Sequence, residues 1–532
     1  MSFRPNGSTQ LCFTDTFTNL TPRAKKFMEN SWAQVFADEV FPYIDEEIFR
    51  VLYSDKASRP NTPVNVIVGG LLLKELLGLS DDELLENLIL DPRYQYALHT
   101  TSCREQPMSD KTLQRFRRRC VEYEEETGVD LIHECVAGLS EQIAKLMGIT
   151  NKVKRMDSMM IEANIRRLSR TELLYQCVSH LVQRMKKDSA AVPEAMQHYL
   201  EPEDYNRTFY YKKSEDAEGA ADTILHDAWE LLARTELSGT KEYQLLERCF
   251  REQAAVQDDT PRLRTKEDGG MDSSILQNPS DPDATYRKKA GKEYRGYAAN
   301  LEESVGEQGS VAGDYQFEQN NYSDQQFIKD SIARKARQEE KVTIVADGAY
   351  DGQEIQDPAA QKNIELRTTS MTGRLPDESL ADFVLSEDET SIEQCPAGNK
   401  PVSVSWQEKS GTIKADFIRE QCANCPNRDK CRAKVYKTKS VVRLTTKSYR
   451  RARQMKSMKE EEYRNYARLR NGVETVPSSL RRNYAADRMP VRGLLRSRLV
   501  FGMKIAALNV GKLLTHRRRG GNYAQNPVLA GC

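Results

Sequence analysis

Three acidic residues stand where carboxylate groups from distant parts of the chain could meet. Asp157 lies within a short strand-like run, Asp347 ends a β-rich apolar run directly before Gly348, and Glu474 lies on a basic helical stretch that begins at Arg468. Carboxylates from two strands and a helix can hold two divalent cations either side of a phosphodiester, where the metal pair stabilises both the attacking and the leaving oxygen. The pattern therefore predicts a metal-dependent enzyme that acts on DNA.

Each of these acids also has a simpler interpretation, because the chain contains 79 Asp and Glu residues. Asp347 makes the best individual case, since it ends an apolar strand before a glycine turn. Glu474 could be a surface acid that pairs with Arg470 one helical turn earlier. A joint role for the three acids depends on a fold that brings them together.

The formal net charge of zero hides a strongly basic C-terminal region. Between Arg432 and Arg519 the sequence carries 25 Lys and Arg residues against 5 Asp and Glu residues. Such a region provides the positive field that binding to a polyanion requires. We expect these arginines to contact DNA phosphates: Arg470, Arg481, Arg482, Arg492, Arg496 and Arg498. The alternative is a helix with a buried face, marked by Leu494, Leu499 and Met503, whose arginines are merely solvated.

The composition excludes some classes of protein. No run of about 18 apolar residues is present, and the N-terminus lacks the charged start and apolar core of a secretory signal. The 11 cysteines are an odd number scattered over a long chain, which is typical of reduced thiols rather than of a disulfide framework. We expect a cytoplasmic protein that does not enter a membrane.

Helical periodicity predicts a helical N-terminal DNA-binding domain over residues 1–150. An apolar helix spans residues 63–77, and Ser80 begins a capping box for a second helix. A third helix begins at Ser109 and has an apolar anchor at Phe116. The arginines around this anchor are candidates for phosphate contacts: Arg115, Arg117, Arg118 and Arg119. An ordinary helical bundle with basic surface residues is the simpler alternative.

The rest of the chain predicts a sheet with two insertions. A strand with Asp157, two further strands, a helix and the strand that ends at Asp347 fit a mixed sheet of the ribonuclease H type, although periodicity alone leaves other α/β orders open. We expect an α+β protein whose ribonuclease H-like catalytic domain spans residues 151–520. Its other parts are a mostly helical insertion at residues 165–280, a cysteine-rich insertion at residues 388–438 and a tail at residues 521–532.

Four of the cysteines cluster in the second insertion. Cys422 and Cys425 have the Cys-x2-Cys spacing with which two thiolates approach one ion, and Cys395 and Cys431 could complete a tetrahedral four-sulfur shell. A closed shell leaves no open position, so a zinc ion here would be structural. Four reduced thiols without metal are the alternative, because the gap back to Cys395 is not a standard zinc spacing.

Together, the three acids, the cysteine-bearing insertion and the basic C-terminal region resemble the DDE transposases of bacterial insertion sequences. The similar branch of that family has an N-terminal helical domain and a cysteine-bearing insertion before the catalytic glutamate. The resemblance covers about residues 45–515. The matching stretches are residues 71–78, 110–116, 157–158 with 163–164, 281–285 with 296–297, 346–350, and Arg470 with Glu474 and Arg481.

The resemblance implies a particular activity and set of partners. It implies two ions of magnesium or manganese at Asp157, Asp347 and Glu474, which are then the catalytic residues, and cleavage and joining of DNA strands at transposon ends. The implied partner is double-stranded DNA, as transposon ends and as target. It further implies a homodimer assembled on DNA and a bacterial, nucleoid-associated location.

The sequence departs from the family pattern in two places. Tyr466 is one residue out of step with the family's tyrosine, and Arg481 stands where the family often has a lysine, although an arginine can still contact a phosphate, and bidentately. The alternatives to an active transposase are a transposase-derived DNA-binding protein without nuclease activity and a nuclease that cuts without joining. The intact set of three acids argues against the first of these.

Overall fold

The computed structural model describes residues 1–7, 17–56, 58–103, 105–211, 217–289, 291–371, 373–472 and 475–520. Glu474 and the predicted tail at residues 521–532 lie outside the described residues. In the part of the chain that is described, no helix is long and apolar enough to cross a membrane.

The N-terminal region is helical, as the periodicity predicts. The predicted capping box forms, because the Ser80 hydroxyl accepts from the Glu83 amide while the Glu83 carboxylate accepts from the Ser80 amide. The hydroxyl of Ser109, in contrast, lies 3.0 Å from that of Thr112 and caps no backbone amide. The helices are α1 (Pro22–Glu29), α2 (Trp32–Glu39), α3 (Val64–Leu77), α4 (Asp81–Leu90), α5 (Pro92–Ala97), α6 (Asp110–Thr127) and α7 (Leu131–Leu146).

Within the described residues, the strands form one large mixed sheet and three smaller sheets. They are β1 (Val153–Glu162), β2 (Ala254–Gln257), β3 (Thr260–Leu263), β4 (Thr285–Lys289), β5 (Lys292–Gly306), β6 (Gly309–Gln319), β7 (Val342–Ala346), β8 (Ile364–Thr368), β9 (Val384–Leu385), β10 (Ile392–Gln394), β11 (Ser403–Gln407), β12 (Thr412–Ile418), β13 (Lys434–Val435) and β14 (Lys439–Thr445).

Eleven further helices follow the N-terminal ones in the described part of the chain. They are α8 (Arg170–Lys187), α9 (Asp204–Phe209), α10 (Ala217–Leu232), α11 (Lys241–Gln253), α12 (Asp324–Arg334), α13 (Gln353–Gln361), α14 (Arg419–Ala423), α15 (Thr446–Ser457), α16 (Glu461–Asn471), α17 (Thr475–Tyr484) and α18 (Leu494–Arg519).

The large sheet has the order β4-β5-β1-β7-β8, with β6 also paired to β5. Strand β5 is antiparallel to both β1 and β6. Strand β7 is parallel to both β1 and β8. Along the chain, the acid-bearing β1 is followed by β5, β6, α12 and then β7. This order confirms the predicted mixed sheet of the ribonuclease H type.

Helices cover both faces of this sheet. On one face, Ile328 and Ile332 of α12 pack with Met156 of β1 and Ile344 of β7. The other face packs on α7 and α18 and shares a single hydrophobic core with the N-terminal helices. The predicted limit at residue 150 therefore separates two stretches of chain but does not separate two hydrophobic cores.

Each insertion has a core of its own. Helices α8, α10 and α11 pack around Val178, Leu225 and Leu246. The cysteine-rich insertion contributes β11, β12 and β13 to a four-stranded sheet of order β11-β12-β14-β13, in which β14 lies beyond the predicted limit at residue 438, and Phe417 and Val442 are in its core. Both insertions thus extend from the sheet as separately packed units.

Helix α18 has the buried apolar face that the alternative interpretation of the basic region predicts. Leu499 and Met503 lie in the core, as the apolar spacing predicts. The buried side chain of Asn509 forms two hydrogen bonds with the backbone of Ala312 in β6, at 2.9 and 2.8 Å. Asp283 accepts a hydrogen bond from the Leu494 amide at the start of the helix. Much of this basic region is therefore a structural layer behind the sheet.

Candidate active site at the edge of the mixed sheet

Two of the three predicted acids come together at one edge of the sheet. Arg155 of β1 is in register with Val345 of the parallel strand β7. Asp157 and Asp347 each lie two residues further along their strands, so their backbones reach the same level. The parallel pairing of β1 and β7 is the physical cause of this juxtaposition, which the sequence analysis left to the fold.

Local hydrogen bonds orient both carboxylates. Asp347 caps a short 3-10 turn, Gly348–Tyr350, and accepts a hydrogen bond of 2.6 Å from the Ala349 amide. Asp157 accepts one of 2.9 Å from the Ser158 amide. Because each aspartate is held by the backbone next to it, its remaining oxygen lone pairs stay available to other ligands.

The two carboxylates converge on one arginine. The Arg470 Nη2 atom in α16 lies 3.6 Å from Asp157 Oδ2 and 3.8 Å from Asp347 Oδ2. Burial raises the pKa of the Asp157 carboxyl, while the Arg470 guanidinium and the Ser158 amide act in the opposite direction. Arg470, a predicted DNA contact, lies within 4 Å of both acids. The site thus has two carboxylates beside a single guanidinium.

A third carboxylate near this edge escaped the sequence analysis. Asp324, the first residue of α12, accepts a hydrogen bond of 2.7 Å from the Ser158 hydroxyl. Its other oxygen lies 3.9 Å from the Arg287 guanidinium. The only available signal was its position at a helix start, which is common for aspartate. Ser158, next to Asp157, is thereby held from the opposite face of the sheet.

Glu474 lies outside the described residues, between the ends of α16 and α17. Among the described residues, no group of three or more His, Cys, Asp or Glu side chains is arranged to hold a metal ion. Of the three predicted acids, Asp157 and Asp347 are among the described residues. The structure therefore unites two of the three acids.

The four clustered cysteines line one small cavity of about 20 Å³. Burial raises the pKa of the Cys422 and Cys431 thiols, and the neighbouring thiols raise it further. These four thiols, Cys395 and Cys425 included, form no disulfide, and among the described residues they do not make up a group that could hold a metal ion. The fold thus gathers the predicted residues without setting their sulfur atoms in a metal-binding arrangement.

The predicted arginines of α6 divide into two kinds. Arg117 donates two hydrogen bonds of 2.6 and 2.7 Å to Asp81 at the start of α4. The guanidinium carbon of Arg119 lies 5.0 Å from the ring centroid of Tyr53. Arg117 thus joins α6 to α4, and Arg119 packs against Tyr53. The exposed members are Arg115 and Arg118.

The C-terminal arginines divide in the same way. Arg498 donates to Glu124 at 2.5 Å, to Glu318 at 3.0 Å and to the carbonyl of Phe317 at 2.9 Å. This guanidinium is engaged within the protein, which argues against the predicted phosphate contact. Arg481, Arg482, Arg492 and Arg496 are exposed.

Tyr466, the residue out of step with the family pattern, packs against the protein. Its ring lies 4.2 Å from the guanidinium carbon of Arg367 and contacts the small core of Val153, Val305 and Leu469. The ring therefore helps to pack α16 against the sheet.

Comparison with known proteins gives two family matches. Residues 394–514 match the model of the Transposase DDE domain, and residues 24–119 match that of a Transposase domain (DUF772). The first match includes the cysteine cluster, Arg470 and Glu474, but neither Asp157 nor Asp347. No curated protein and no solved structure matches the chain. Together, the two family matches support a DDE transposase of an insertion sequence.

Proposed function

We propose that this protein cuts and joins DNA strands at the ends of an insertion sequence, with Asp157, Asp347 and Glu474 as its catalytic residues. The observation that carries the proposal is the convergence of Asp157 and Asp347 on Arg470 at the edge of a ribonuclease H-type sheet. Carboxylate oxygens are the ligands that Mg²⁺ and Mn²⁺ prefer. Two such ions would neutralise the charge that develops on the attacked phosphodiester.

The protein's own residues supply positioning around this chemistry. The carboxylates of Asp157 and Asp347 are oriented by the adjacent amides, so they need little rearrangement to accept cations. Arg470 offers a positive charge beside them, suited to a DNA phosphate once cations occupy the carboxylates. The site thus combines anionic ligands with a cationic neighbour.

Exposed arginines beyond the far end of β1 would provide a surface for double-stranded DNA. Arg492 donates to the Asn164 carbonyl at 2.9 Å, and Asn164 donates to the Pro490 carbonyl at 3.0 Å, so this loop lies just beyond the end of β1. Arg481, Arg482 and Arg496 belong to the helices on either side of the loop. Phosphate contacts here would hold transposon ends and target alongside the strand that carries Asp157.

The exposed arginines Arg115 and Arg118 on α6 would take part in binding the transposon ends from the N-terminal helices. A homodimer assembled on DNA would bring two such sites to two ends. We place this assembly on the bacterial nucleoid, in the cytoplasm.

The cysteine cluster would hold a structural zinc ion once its four thiols close around the metal. Its cavity of about 20 Å³ is of the size that one water molecule needs, and four sulfur donors suit zinc. Elemental analysis tests this: the wild type should contain zinc and Cys425→Ser should lose it, whereas Cys103→Ser, outside the cluster, should keep it. Wild-type protein without zinc would leave four reduced thiols as the interpretation.

A plasmid assay tests the activity. Supercoiled plasmid carrying the element's ends is incubated with Mg²⁺ and with wild type, Asp157→Asn, Asp347→Asn or the control Glu354→Gln, whose side chain is 81% exposed. The two asparagine variants should bind DNA normally and fail to nick it, because a neutral amide is a poor ligand for divalent cations. Robust nicking by either would refute the assignment. Nicked plasmid without joined products from the wild type would indicate a nuclease that cuts without joining.

A further inference from the structure

The end of α16 that carries Arg470 rests on β1 through a buried arginine. Arg155, which is 8% exposed, donates a hydrogen bond of 3.1 Å from Nη1 to the carbonyl of Leu469. Leu469 lies in the last turn of α16, where carbonyls need partners outside the regular helical pattern. Arg155 thus links the strand of Asp157 directly to the helix of Arg470.

Arg155 is itself held in place from behind. Its Nε atom lies 2.5 Å from a carboxylate oxygen of Glu303 in β5, which is fully buried. Glu303 also forms an ion pair with Lys512 of α18. The Arg155 guanidinium cannot rotate away without breaking a buried ion pair, so it is a fixed support for α16.

Gly472, directly after α16, lies against the Arg155 side chain. A Cβ atom added there would lie 2.3 Å from Arg155 Nη1 and 3.4 Å from its Cζ. The φ angle of Gly472 is −66°, which any residue can adopt. Glycine is therefore required here because a side chain would collide with Arg155, and not because the backbone needs an unusual φ angle. Gly472 lets the helix end approach Arg155 closely.

We propose that Arg155, with Gly472, is the positioning element that sets the end of α16 against the catalytic edge. Arg155 and Asp157 are two residues apart on β1, so they extend from the same face of the strand. One strand thereby carries a catalytic carboxylate and the anchor for the helix whose arginine lies beside it. The consequence for catalysis rests on the proposed function, whereas the anchor itself does not.

Two single substitutions and their combination test this. Arg155→Lys keeps a charge for Glu303 but removes the Nη1 atom that holds Leu469. Gly472→Ala keeps the ion pair and pushes the helix end away. Each should lower the kcat of cleavage about 10- to 100-fold, because small misplacements at a catalytic site cost rate, with unchanged KM for DNA. Adding Gly472→Ala to Arg155→Lys should cost less than about threefold more, because the atom it collides with is gone.

A readout without catalysis accompanies the assay. In metal-free Arg155→Lys protein, backbone amides of α16 should exchange hydrogen faster than in the wild type, while those of α12 should be unchanged. If Arg155→Lys does not fold, Gly472→Ala decides by the same criteria.

Wild-type kcat in both single variants, or losses that multiply in the double variant, would overturn the positioning role. Full cleavage by Asp157→Asn in the same assay would instead overturn the proposed function. The two failures are therefore distinguishable.

Discussion

Two sets of carboxylates lie within a few residues of each other on the same sheet, and the fold treats them differently. Glu302 lies 2.7 Å from the Lys154 ammonium and 2.8 Å from that of Lys335, and its side chain is 3% exposed. Glu303 is paired with Arg155 and Lys512 and is 1% exposed. Each of these glutamates has two cations of its own.

Asp157 and Asp347, in contrast, share Arg470 at 3.6 and 3.8 Å. Their side chains are 17% and 40% exposed, so solvent and ligands reach them. A carboxylate that is neutralised within the fold contributes to stability, and one that is left partly exposed with a shared cation can accept a ligand. The difference separates structural acids from candidate catalytic acids on one sheet.

The largest expected effect is on stability. Glu303→Gln should lower the free energy of unfolding by about 3–5 kcal/mol, because it leaves Arg155 and Lys512 buried with a neutral partner. Asp347→Asn should change it by less than about 1 kcal/mol, as for an exposed ion pair. Urea unfolding at neutral pH measures both. Equal losses in the two variants would remove the distinction between the two sets of acids.

The pH dependence of stability should show the same distinction. Burial raises the pKa of the Glu303 carboxyl, but Lys512 and Arg155 lower it more, to about 2. A depressed pKa means that the stabilisation is present above the unfolded value of about 4.3 and is lost as the pH falls from there towards 2. As the pH is lowered, the unfolding midpoint of Glu303→Gln should therefore decrease less steeply than that of the wild type. An equal decrease of the unfolding midpoint with falling pH in the two proteins would contradict this.

A smaller effect is expected for the arginines, where one that is paired within the protein is compared with two that are exposed. Arg498→Gln should cost about 1–3 kcal/mol of stability, because Glu124 and Glu318 lose their buried partner, and should leave DNA binding unchanged. Arg492→Gln with Arg496→Gln should spare stability and reduce the slope of log affinity against log salt by roughly 0.9 per lost contact. Binding isotherms at several salt concentrations and urea unfolding decide. A reduced slope in Arg498→Gln would show that this arginine contacts DNA.

Much of the architecture follows from local signals in the sequence. The strand-like runs at Asp157 and Asp347 and the capping box at Ser80 are short-range patterns, and the structure realises each of them. The order of strands around α12 is consistent with the sheet type, because parallel neighbours need a crossover connection, but the strand pairing itself is visible only in the structure.

What local patterns could not supply is the long-range partner of a charge. Arg498 reads as part of a basic stretch, yet it pairs with Glu124, 374 residues earlier. Arg470 reads as a DNA contact, yet it lies between two acids from distant strands. The cysteine spacing likewise predicts that four thiols meet but does not fix their geometry. Charge and spacing are visible in a sequence, whereas partners depend on the completed fold.

Binding of Mn²⁺ to the protein with DNA carrying the element's ends tests the central claim most directly. Electron paramagnetic resonance measures free Mn²⁺ in titrations of wild type, Asp157→Asn, Asp347→Asn and the control Glu354→Gln. We expect at least about a tenfold weaker affinity in the two asparagine variants, because each loses a charged oxygen ligand, and wild-type affinity in the control. Wild-type Mn²⁺ affinity in Asp157→Asn and Asp347→Asn would contradict the assignment of these two residues as metal ligands.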